Sequence, residues 1–95
     1  MEVKEAVQFA KEYVSDIYST EHITNLGLEE VEYDHVSNKW KITVGFSRPW
    51  DHNNALHQMI REGRPERSYK LVRISDKSRT IESVTDRFLV DSRLG

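Results

Sequence analysis

Four histidines, a run of carboxylates, a basic segment and an isolated tryptophan are the residues whose chemistry could be put to use. His22, His35, His52 and His57 could ligate a metal or act as bases, but their spacing argues against it. His52 and His57 lie on different faces of any helix between them, and no H-E-x-x-H pair occurs. His35 falls at a hairpin end and reads as a turn residue. Cysteine is absent, which excludes disulfides, thiolate metal sites and a cysteine nucleophile. The glycines Gly27, Gly45, Gly63 and Gly95 are isolated, so no phosphate-cradling loop exists, and no G-x-S-x-G elbow is present. The expectation is no catalytic residue, no metal site and no cofactor.

Glu29, Glu30, Glu32 and Asp34 crowd into one short stretch. Paired carboxylates do acid–base work when one is buried and its pKa rises. Here Glu30, Glu32 and Asp34 alternate with apolar residues, which predicts the solvated face of a half-buried sheet, opposite Lys39 and Lys41. Charge is unevenly distributed. Residues 1–48 hold five basic and nine acidic residues, and residues 49–95 hold nine basic and seven acidic. Arg64, Arg67, Lys70 and Arg73, interleaved with Tyr69, could contact phosphates or stack a base. The competing expectation is a strand whose cations pair with acidic neighbours, which the total formal charge of -2 favours. Trp50 opens a polar stretch with no obvious core to enter. Tryptophan and arginine are the usual anchors of protein interfaces, so Arg48, Trp50, Leu56, Met59 and Ile60 form a candidate partner-binding set.

The elements that would position these residues follow from periodicity. Val3, Ala6, Val7, Ala10, Tyr13, Val14, Ile17 and Tyr18 recur at steps of three and four, predicting an amphipathic helix over 3–19. A strand is expected at about 26–36, where Val31, Tyr33 and His35 alternate with acidic residues. Leu26 and Leu28 are out of phase with them, and a β-bulge near Glu29–Glu30 would return them to the same face. Trp40, Ile42, Val44 and Phe46 alternate cleanly, predicting a second strand at 39–47 with Thr43 on its opposite, solvated face. Residues 48–66 form a long connection bracketed by Pro49 and Pro65. A third strand is expected at 67–76 with mixed faces: either a bulge separates Leu71 from Val72, or both faces are covered. A fourth is expected at 79–86, with Phe88–Leu89–Val90 extending it or packing elsewhere.

Ninety-five residues support one domain and one core. A helix followed by four sequential strands predicts an α+β fold, the helix packed on an antiparallel meander. This order resembles the cystatin-like superfold over roughly residues 1–87, and more distantly a cut-down nuclear-transport-factor-two-like cone. The resemblance implies a fold and no activity. Cystatins inhibit papain-like proteases through an N-terminal glycine and two hairpin motifs. Here no glycine precedes the helix, the first hairpin reads HVSNK, and Pro49–Trp50 stands in the wrong hairpin. Without a long apolar run or a signal-peptide core, the chain is expected to be cytoplasmic, with no membrane partner. Open sheets must manage their edges, often by pairing two copies. The expected function is therefore a non-enzymatic protein–protein interaction or regulatory module, homodimeric. The alternatives are a nucleic-acid-binding module using residues 61–79 and a small-ligand or enzymatic domain of the cone type.

Overall fold

A computed structural model describes residues 1–49 and 67–87. Helix α1 (Val3–Ile17) is followed by a 3-10 turn (Ser19–Glu21) and by strands β1 (Thr24–Asp34), β2 (Lys39–Ser47), β3 (Ser68–Ser75) and β4 (Thr80–Asp86). The strands form one antiparallel sheet in the order β1-β2-β3-β4. The expected α+β arrangement of helix and antiparallel meander is thus the observed one. No helix among the described residues is long and apolar enough to cross a membrane.

Element ends differ from the expected ones for local reasons. The helix stops at Ile17 and not at residue 19, because Tyr18 leaves helical geometry and turns its ring onto Phe46, centroids 5.1 Å apart. Strand β1 begins two residues early, at Thr24, across an irregularity that Asn25 accommodates at φ 57. It ends two residues early because the Asp34 carboxylate accepts the N–H groups of Val36 and Ser37 at 2.9 and 3.3 Å, closing a turn. Arg79, with φ 57, belongs to the turn before β4.

The bulge expected in β1 is present. Leu28 pairs with Val44 and Glu30 with Thr43, so Glu29 is the extra residue. Leu28, Val31 and Tyr33 consequently share the helix side of the sheet with their partners Val44, Ile42 and Trp40. No bulge interrupts the β2–β3 ladder. Leu71 and Val72 are both buried, on opposite faces, which decides for a sheet covered on both sides.

The core lies between α1 and the two inner strands. Ala6, Ala10 and Val14 meet Ile42, Val44, Phe46, Val72 and Ile74, all fully enclosed. Alanine at the two central helix positions lets the backbone come close to the sheet. The other face is covered differently. Thr43 was expected to be solvated there, but its exposure is 0%. Its cross-strand neighbours are Glu30 and Leu71, and an ion pair between Glu30 of β1 and Arg87, just beyond β4, spans the strands between them at 2.9 Å. Long charged side chains lying over a sheet bury what is beneath them. The Thr43 hydroxyl has no hydrogen-bond partner under this cover. Thr43→Val keeps the shape and removes the orphaned group, so it is expected to stabilise the domain by about 1 kcal/mol. Urea denaturation measures this, and a clear loss of stability would show that the hydroxyl is satisfied in solution.

Candidate functional site

A cluster of aromatic and charged side chains lies at the C-terminal end of α1. The last helical turn has no basic residue of its own. Two cations from the sheet stand there instead, where the helix dipole favours positive charge. The Arg48 guanidinium lies 5.2 Å from the Tyr18 ring centroid and 5.3 Å from that of Phe46, within cation–π range of both. Its Nε is 3.9 Å from a Glu21 carboxylate oxygen. Lys70 places its ammonium 5.7 Å from the Tyr18 centroid and donates a hydrogen bond to Asp86. Burial alone would lower the Lys70 pKa, but the hydrogen bonds to Asp86 and Tyr18 outweigh it and hold the pKa above the ordinary value.

A second cluster closes the other end of the helix. Asp76 accepts hydrogen bonds from Trp40 Nε1 at 3.3 Å and Tyr33 Oη at 3.4 Å, and lies 3.1 Å from the Met1 amino group. Tyr33 packs edge-on against both Trp40 and His35. The burial of Tyr33 and the Asp76 charge beside it raise the phenol's pKa.

The face away from the helix is braided by ion pairs, some between adjacent strands and some reaching past a neighbouring one. Arg67 bonds Glu29 at 3.2 Å and the Asn25 carbonyl at 3.0 Å, crossing β2 at Gly45. A Cβ at Gly45 would lie 2.7 Å from Glu29 Oε2 and 2.9 Å from Arg67 Nη2, so the missing side chain is what admits this bridge. Lys39 reaches Glu82 at 2.7 Å, and Lys41 sits 3.9 Å from Glu32 and 3.8 Å from Asp34. Arg73 donates to the Ser83 and Thr85 hydroxyls at 3.3 and 3.4 Å.

These placements divide the candidate residues. Of the nucleic-acid set, Arg67, Tyr69 and Arg73 share the face away from the helix, while Lys70 is on the helix side, and Arg64 lies outside the described residues. Arg67 and Lys70 are engaged by carboxylates of their own sheet. Of the partner-binding set, Arg48 is at the helix end, whereas Trp50, Leu56, Met59 and Ile60 lie outside the described residues, as do His52 and His57. Among the described residues no group of three or more His, Asp or Glu is placed to hold a metal ion. Sequence reasoning missed both helix-end clusters. Tyr18 was legible only as the last member of an apolar stripe, and nothing local marks Asp76 as the partner of residues 36 and 43 positions away.

The carboxylates have a measurable signature. The hydrogen bonds from Ser37 and Val36 hold the Asp34 pKa below its ordinary value, the Met1 amine does so at Asp76, and Lys70 does so at Asp86. A carboxyl whose folded pKa is depressed stabilises the fold fully above the unfolded pKa of about 3.9, and that stability drains as pH falls through the folded value. Stability is therefore expected to decline below about pH 4, as Asp34, Asp76 and Asp86 take up their protons below the ordinary aspartate range. Carboxyl NMR shifts followed through acid report this, and ordinary pKa values at all three would refute it.

Compared with protein-family models, with curated proteins and with solved structures, the chain gives no match.

Proposed function

We propose that this chain is a non-enzymatic protein-binding module, cystatin-like in architecture, that forms a homodimer through the C-terminal end of α1 and the segment leaving from Arg48. The observation that carries this is the overrun of the helix's apolar stripe. Ala6, Ala10 and Val14 are fully buried, yet Val3 at the start of the same stripe and Tyr13 and Ile17 toward its end remain exposed, the last two on the side of Arg48 in the chain's order of elements. Arg48, fixed against Tyr18, sets the start of residues 48–66 at that same helix end. The candidate anchors Trp50, Leu56, Met59 and Ile60 follow in sequence. Exposed large apolar side chains and arginine are the usual material of an interface core. The opposite face suits this role less, since its charges already bridge one another within the sheet.

Sedimentation equilibrium tests the reading. The expected mass is twice the 11.2 kDa chain mass. Ile17→Lys, or replacement of residues 51–64 by an Asn-Gly turn, is expected to give a monomer that melts cooperatively. A wild-type chain that stays monomeric at every concentration sinks the homodimer.

A further inference from the structure

A different surface, the outer edge of β1, points to a second kind of partner. Among the described residues, β1 stands first in the sheet order and pairs on one side only, with β2. Such an edge can accept another strand through main-chain hydrogen bonds, and side chains alternating between the faces then supply the selectivity. On the helix side, Ile42 and Val44 of β2 are fully enclosed, but their β1 partners Val31 and Leu28 are 37% and 44% exposed. Among the described residues, the apolar face thus runs past the helix to the edge and is only partly covered there. On the other side the edge carries Glu30 and Glu32, which pair within the sheet with Arg87 at 2.9 Å and Lys41 at 3.9 Å yet keep 54% and 67% of their side-chain surface exposed at the edge. From Thr24 to Asp34 the strand has four acidic residues and no basic one.

This pattern selects among occupants. A second copy of β1 is disfavoured. In an antiparallel pair, residues directly opposite share a face, so wherever the dyad falls in Glu30–Asp34 the carboxylates meet carboxylates. β4, the other described edge, would bring Glu82 and Asp86, and β3, which carries Lys70 and Arg73 and follows directly on Arg67, is held between two strands. We infer that the β1 edge docks an extended segment of another protein in which basic and apolar residues alternate, added as a further strand. Its cations lie across from Glu30 and Glu32 and its apolar side chains extend over Val31. The Glu29 bulge limits regular pairing to Glu30–Asp34, so the docked stretch is short, with Leu28 as an apolar flank beyond the bulge. The inference rests on the protein-binding reading and not on the homodimer.

The probe is a dye-labelled heptapeptide alternating lysine and valine, with a glutamate–valine peptide as control, titrated by fluorescence anisotropy and by amide NMR shifts. The lysine peptide is expected to bind and to shift and protect the amides of Glu30–Asp34, while the glutamate peptide does not bind. Glu32→Lys should weaken binding at least tenfold with the melting temperature and sedimentation mass unchanged. If that variant folds poorly, Glu32→Gln is used, with a smaller loss in the same direction. Equal binding of both peptides, shifts centred away from β1, or unchanged affinity in the folded variant would overturn the inference. A change of mass in Glu32→Lys would also overturn it, because it would place the self-contact on this edge.

Discussion

Phe46→Ala is expected to destabilise the domain by about 3–5 kcal/mol, the usual cost of removing a large aromatic side chain from a core. Phe46 is the largest of the fully enclosed side chains and stands where three elements meet. Its ring packs against Tyr18, which ends the helix, and supports the Arg48 guanidinium. A small domain has a stability of about 5–15 kcal/mol, so the loss is a large share of the total. It also leaves Arg48 over one ring in place of two, and the helix end loses its contact with β2. Equilibrium urea unfolding checks this. A loss below about 1 kcal/mol would mean that the ring is not part of the packed interior.

The second large effect comes from adding volume. Ala10 is fully enclosed between the helix axis and the inner strands. Ala10→Leu puts three more carbons into a space already filled by Ile42, Val44, Val72 and Ile74, so the helix must lift or the neighbours must leave their rotamers. Overpacking of this kind costs about 1–3 kcal/mol, even though leucine and alanine are both good helix formers. Tyr13→Ala, at the exposed margin of the same helix, provides the contrast and should cost much less. Equal losses at the two sites would show that helix propensity, and not the approach of helix to sheet, governs the response. A neutral Ala10→Leu would show that the interface has room to spare.

The parts of this protein legible in the sequence are those set by local periodicity. Three-and-four spacing from Val3 to Tyr18 marked the helix and its buried stripe, and strict alternation from Trp40 to Phe46 marked β2 with its core face. The phase break between Leu28 and Val31 required an extra residue, which is Glu29. Turn ends were less legible, because a single side-chain contact, such as Asp34 closing on Val36 and Ser37, is enough to move a boundary by two residues. Tertiary structure alone decided how charges are matched. Lys39 stands opposite Asp34, as expected, but its ammonium reaches Glu82, and Glu30 meets Arg87 from the far side of the sheet. Thr43 belongs to the same lesson: alternation placed it on the outer face correctly, yet that face is closed by long side chains from other strands, so facing away from the helix did not mean facing water. Alternation records which side of a strand a residue occupies. What covers that side depends on twist, register and the reach of side chains distant in sequence, and no local pattern encodes these.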